Sequence, residues 1–296
     1  MAEGRSSLRR VWIAGAATLA GFALLFWAVA HSLREQMLHS PRFRVQAENI
    51  VLEPSPPAWI HRPVVQEVID HARWEEPLSV LDAQLAKKLY EAFSLHPWIA
   101  RVEQVVLQAG PRVRVQVRYR KPVLMVEVPG GLFAVDQQGV LLPSEDFTPE
   151  QAAGFPRLGG VRSRPSGPPG TPWGDPAVQQ AAWVASQLAD VWHAWGLYRL
   201  VPRRPPKTTQ KQAATAPWWF EIHTRHGTRI VWGPARGGPE VPSARQRKAL
   251  LEQLVRQLGT LDDPQQPRLI DLLAAPQGHI VPLRPQTATR SGSAAR

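Results

Sequence analysis

Apolar positions along the chain change their period several times, and each change predicts a different element. From Val11 to Ala30 twenty residues carry neither charge nor proline. At about 1.5 Å of rise per residue, a helix of that length matches a hydrocarbon core of roughly 30 Å. Trp12 and Trp27 stand near its ends, where indoles favour the headgroup level, and Arg5, Arg9 and Arg10 hold the leader, residues 1–10, on the cytoplasmic side. The expectation is a single retained transmembrane helix over 11–30, with the N-terminus in the cytoplasm and the bulk of the chain outside. Ala28-Val29-Ala30 also has the small-x-small form of a signal-peptidase site. That leaves cleavage before His31 as the alternative, against which the run exceeds the roughly 7–15 residues of a signal h-region.

Beyond a polar juxtamembrane stretch, Phe43 to Leu52 alternates and predicts a first strand. Pro54 to Pro57 break it. Val64, Val65, Val68 and Ile69 form a helical stripe behind Pro63, and Asp82 can cap a second helix lined by Leu85, Leu89 and Phe93, which His96-Pro97 ends. Arg101–Leu107 and Arg112–Arg120 read as two strands. In the second, Val113, Val115, Val117 and Tyr119 alternate with Arg112, Arg114, Arg118 and Arg120. The predicted order is β-α-α-β-β over 43–121.

Further strands follow at Val123–Val128, Leu132–Val135 and Val140–Leu142, with a mobile Pro/Gly/Ser-rich loop over Arg162–Trp173. Asp175-Pro176 starts a helix whose apolar stripe runs to Trp195 before Gly196. Leu197–Val201 is a strand, Trp218–Thr224 and Thr228–Trp232 a hairpin, and Ser243 caps a helix with Leu250, Leu251, Leu254 and Leu258 in period. Arg268–Leu272 and His279–Leu283 are the last strands, and 284–296 is a polar, basic, disordered tail. The fold class expected is α+β: a transmembrane helix, a β-α-α-β-β domain over 43–121 and a mixed domain over 122–283.

The order and several local motifs resemble the bacterial cell-division proteins of the FtsQ/DivIB family. The likeness rests on His96-Pro97-Trp98-Ile99 with Val102, on Pro111-Arg112-Val113-Arg114-Val115, and on Arg120-Lys121-Pro122-Val123. Asp136…Gly139, Phe155-Pro156-Arg157-Leu158-Gly159-Gly160, Lys248 with Leu251, and Arg268-Leu269-Ile270-Asp271-Leu272 extend it through the second domain. It implies a POTRA domain over 43–121 and a family-type β domain over 122–283. It further implies a divisome scaffold at the septal cytoplasmic membrane that helps assemble the cell-wall machinery. The implied partners are bitopic proteins of the FtsB/DivIC and FtsL types, with the septal peptidoglycan synthase as a further one. In the family the C-terminal end receives its partner by strand addition. The matching positions here are Leu272, Leu273, Ala274, Ala275, Gly278, His279, Ile280, Val281 and Leu283, with leucine and alanine at 273 and 274 where the family often has arginine and an aromatic residue.

Composition narrows the chemistry. No cysteine is present, which excludes disulfides and thiolate metal sites. A formal charge of +11 would suit nucleic acid, but behind a membrane span the expected anionic neighbours are headgroups, acidic polymer or acidic proteins, not nucleic acid. Arg112, Arg114, Arg118 and Arg120 are read either as a solvated face or as a contact for such neighbours. His223 and His226 project from a strand and its turn, Asp136 and Asp271 have turn or strand roles, and no nucleophile, zinc or phosphate motif appears. The expectation is a protein without cofactor, metal or catalysis. The competing class is an anchored envelope enzyme or a polysaccharide-binding protein.

Overall fold

A computed structural model describes residues 19–32, 43–74, 78–204, 218–238, 241–274 and 278–283. It is a mixed α+β protein whose chain divides into two compact units, one ending at Tyr119 and the next beginning at Arg120. Residues 19–32 are helical and expose Leu19, Phe22, Leu24, Leu25, Phe26 and Trp27. Residues 11–18 of the expected span lie outside the described residues, as do the leader and the tail. Among the described residues no helix is long and apolar enough to cross a membrane.

The first unit carries β1 (Ile50–Glu53), α1 (Val64–Ala72), α2 (Leu85–Ser94), β2 (Ile99–Leu107) and β3 (Val113–Tyr119). Its sheet has the order β1-β3-β2, with β1 parallel and β2 antiparallel to the central strand. Alternation explains why β3 is central: Val113, Val115 and Val117 are buried, as are Leu85, Leu89 and Phe93 on the facing stripe of α2. The strand expected over Phe43–Leu52 is shorter. Gln46 donates its N–H to Asn49 Oδ1 at 3.1 Å, and Ala47–Asn49 wind into a 3₁₀ turn, so a local side-chain bond displaces the ladder. The preceding residues pair elsewhere, with Val45 N–H donating to the Leu78 carbonyl at 2.8 Å.

His96 holds the entry to β2. Its Nδ1 accepts from Trp98 N–H at 3.3 Å, and its Nε2 lies 3.2 Å from Glu67 Oε2, so the neutral ring protonated on Nε2 satisfies both contacts. Burial pushes its pKa below the ordinary histidine value, against the upward pull of Glu67. A ring kept neutral in the fold contributes its full stability above the unfolded pKa, about 6.5, and loses it as the pH falls through the lowered folded value. Urea unfolding from about pH 7.5 down to pH 5 should therefore show the first unit losing stability below about pH 6.5, with His96→Gln flattening that loss.

The second unit is built on an eight-stranded sheet. The strands are β4 (Pro122–Val128), β5 (Gly131–Asp136), β6 (Arg157–Leu158), β7 (Leu197–Arg203), β8 (Trp219–Thr224), β9 (Arg229–Pro234), β10 (Arg268–Asp271) and β11 (His279–Pro282). Their spatial order is β11-β10-β9-β8-β7-β6-β4-β5. The short α3 (Pro149–Ala153) precedes β6, and the core lies under α4 (Pro176–Gln187) and α5 (Ala244–Leu258). Val178, Ala181, Val184 and Ala185 of α4 and Leu251 and Leu254 of α5 meet Val126, Leu200, Phe220, Ile222, Ile230 and Ile270 from the strands. Asp175 Oδ1 accepts from Ala177 N–H at 2.8 Å ahead of Pro176, and Ser243 and Gln246 cap each other reciprocally, so both helices start where their side chains dictate.

Three expectations for this unit are corrected, the first being the strand over Val140–Leu142, which forms only isolated bridges to Val135 and Pro172. The helix expected to reach Trp195 stops at Gln187; Leu188, Val191 and Gly196 each donate to a carbonyl three residues back, yet Leu188, Trp192 and Trp195 stay buried. The Arg162–Trp173 loop is pinned rather than mobile, because Trp173 is buried with its indole N–H on Ser163 Oγ at 3.1 Å and Leu141 N–H donates to Thr171 O at 2.9 Å.

A buried cation holds the end of β9. Arg247 of α5 is 1% exposed; its Nη1 donates to the carbonyls of Trp232 and, at 2.8 Å, Pro234, while Nη2 reaches Ala235 O at 3.2 Å. The guanidinium stands 4.5 Å from the centroid of the Trp232 ring. Burial lowers its pKa to about 10, which still leaves it charged at neutral pH.

Candidate partner-binding edge

The site implied by the resemblance falls on β11, which ends the eight-stranded sheet. Helix α5 returns the chain so that β10 lies parallel to β9, with Ile270 opposite Ile230. The chain then reverses direction to enter β11. Asp271 Oδ1 accepts Leu273 N–H at 2.9 Å, and Gly278 N–H donates to Ala274 O at 2.9 Å. Gly278 sits at φ +74, and a Cβ there would come 3.2 Å from Asp271 O, so this reversal needs glycine.

The register fixes which backbone groups face outward. β11 runs antiparallel to β10, pairing Asp271 with His279, Ile270 with Ile280 and Leu269 with Val281, and Leu283 N–H donates to Pro267 O at 2.7 Å. Hydrogen-bonded pairs alternate in such a ladder. His279, Val281 and Leu283 therefore face β10, while Gly278, Ile280 and Pro282 face away. Gly278 N–H is already engaged and proline has none, so Ile280 supplies the one outward donor of β11. The carbonyls of Ile280 and Pro282 are the outward acceptors. Ile280 and Val281 are 36% and 37% exposed, one on each face of the strand, so the edge is apolar on both sides.

The nine implied positions thus divide by role. Gly278, His279, Ile280, Val281 and Leu283 form the edge strand and its entry. Leu272 is buried in the core at 2% exposure. Leu273 lies over Gly233, where a Cβ would come 2.8 Å from its Cδ1. Both leucines pack just after β10, and the Ala274 carbonyl accepts the Gly278 N–H. Ala275 lies outside the described residues. Pro282, absent from the nine, presents an outward carbonyl; only the register of β11 on β10 reveals it.

Two other edges, β5 and β2, are blunted. On the far side of the sheet, β5 is covered along its second half: Leu142 N–H donates to Ala134 O at 2.8 Å, Asp136 N–H to Val140 O at 3.1 Å, and Val135 bridges Leu141. In the first unit, β2 is broken by irregular register between Ile99 and Arg101 and between Val102 and Gln104, and exposes the charged Arg101 and Glu103.

Of the four arginines, Arg112, Arg114 and Arg118 remain exposed and Arg120 does not. Arg114 pairs with Glu53 at 3.4 Å and Arg118 with Glu103. Arg120 leaves the face altogether: β3 ends at Tyr119, and the Arg120 side chain, 15% exposed, pairs with Asp136 at 2.7 Å within the second unit. His223 and His226 also lie apart, the first 3.1 Å from Glu221 and the second 2.9 Å from Asp262. Among the described residues no group of three or more histidine, aspartate or glutamate side chains is placed to hold a metal ion. No known family model matches the chain, and no curated protein matches it.

Proposed function

We propose that this chain is a membrane-anchored scaffold of the FtsQ/DivIB type, with residues 11–30 as its anchor and its first unit as a POTRA domain. In this reading it assembles the septal cell-wall machinery by adding a strand from an FtsB/DivIC-type bitopic protein to β11. An FtsL-type protein and the septal synthase join through the same assembly. The observation that carries the reading is the β11 edge, which pairs with no described strand but β10 and exposes Ile280 and Val281 on its two faces, on a sheet whose opposite edge is covered along its second half. Strand addition draws affinity from backbone hydrogen bonds, so it tolerates the leucine and alanine at 273 and 274.

The test separates the two sides of the strand. Ile280→Pro deletes the outward donor and places a ring on the free edge, while the bonds of His279, Val281 and Leu283 to β10 remain. Co-purification of the full chain with an FtsB/DivIC-type partner should fall by about tenfold or more, with circular dichroism and the exchange protection of Val281 N–H retained. Native-level capture by Ile280→Pro would place the partner elsewhere.

A further inference from the structure

A second feature of the β-rich unit lies away from the β11 edge and does not depend on it. An open cleft of about 760 Å³ is walled by three segments: the turn after β5, the outer side of α4 and the loop that leaves β9. The turn contributes Gln137 and Gln138, the helix Gln179, Gln180 and Trp183, and the loop Arg236. Four carboxamides thus meet beside a half-buried indole, with no carboxylate among the described residues that line the cleft. None of the four amide side chains has a protein hydrogen-bond partner among the described residues. Arg236 lies 5.6 Å from the centroid of the Trp183 ring, near the outer limit of a cation–π contact, so the indole is only loosely covered.

Surface glutamines are ordinarily just solvated, but here every wall is fixed. Gly139, at φ +75, lets its turn press on α4, since a Cβ there would come 2.8 Å from Gln179 Cα. This sets one pair of glutamines against the other. Gly237 does the same for the third wall, where a Cβ would meet Ser243 Cα at 2.8 Å, and Arg247 binds the carbonyls of Pro234 and Ala235 that precede Arg236. Fixed walls remove the ordering cost that makes a loose polar surface a poor binder.

The lining selects a ligand class. A carboxamide offers a donor and an acceptor in one plane, the pattern presented by vicinal hydroxyls. An indole offers a flat apolar surface to the C–H face of a pyranose ring. A metal ion would require carboxylates or imidazoles, a phosphorylated ligand more than one cation, and an extended peptide a strand edge or apolar pockets. The volume falls within the roughly 300–1,000 Å³ of ordinary ligand clefts, and an open form admits a strand rather than enclosing a small molecule. We propose that this cleft binds a glycan strand, one sugar ring lying on Trp183 with its hydroxyls held by the carboxamides of Gln137, Gln138, Gln179 and Gln180.

The test uses the full chain in a detergent without a sugar headgroup and chitotetraose as the probe, followed by calorimetry and indole fluorescence. Saturable binding is expected. It should weaken about tenfold in Trp183→Ala and about fivefold or more in the double variant Gln137→Ala/Gln180→Ala. Trp183 packs partly against the core, so its variant can lose affinity by unfolding. The glutamines lie at the surface and their variant keeps the fold, which circular dichroism checks. An unchanged affinity in the folded glutamine variant, or no binding of chitotetraose by the native chain, overturns the proposal. Partner capture at β11 is measured separately and is unaffected by either result.

Discussion

Replacing Arg247 with methionine should cost the second unit about 3–4 kcal/mol, one of the largest effects of any single change in the chain. Methionine fills much of the same volume but leaves the carbonyls of Trp232, Pro234 and Ala235 without the donors that satisfy them. An unsatisfied buried acceptor costs about 1–3 kcal/mol, and relaxation of the β9 end recovers part of the sum. The contact between guanidinium and the Trp232 ring goes as well. Lysine should recover only part of the loss, because a point charge cannot serve three divergent carbonyls as a planar fork does. Urea unfolding of the two variants, followed through the tryptophans, measures both changes. Equal stability of the lysine variant and the native chain would mean that charge, not the fork, is what the site requires.

Arg247 also shows where sequence reading stopped. Ala244, Arg247, Leu251 and Leu254 recur at helical spacing and are the buried stripe of α5. Leu250, Leu251, Leu254 and Leu258 announce the helix, yet the arginine in the stripe passes for a solvated residue because its acceptors come from a distant strand. Strand parity has the same origin. Alternation made β3 legible, since each valine faces one core, and Asp175-Pro176 and Ser243…Gln246 made two helix starts legible, since their bonds are local. Which N–H of β11 points outward depends on how the chain turns between Asp271 and Gly278, a tertiary fact. The glutamine cleft needed the fold for the same reason: its walls come from residues some hundred positions apart.

Asp136→Ala is the second large effect expected, about 3–5 kcal/mol in the same unit. The carboxylate is nearly sealed from solvent at 1% exposure and serves three donors at once. Oδ2 accepts from Arg120 Nη1 at 2.7 Å, and Oδ1 accepts from the backbone N–H groups of Gln138 and Val140, each at 2.9 Å. It therefore neutralises a mostly enclosed guanidinium at the start of the unit and shapes the turn that carries Gln137 and Gln138. Alanine removes both functions. Asparagine keeps an oxygen for the turn but loses the charge facing Arg120, so Asp136→Asn should fall between the native chain and alanine. Restoring balance should help: Arg120→Met combined with Asp136→Ala ought to be less destabilised than the sum of the single variants, because removing both members of a buried pair avoids stranding a charge. A double-mutant cycle in urea measures that coupling, and strict additivity would show that Asp136 acts through the turn alone.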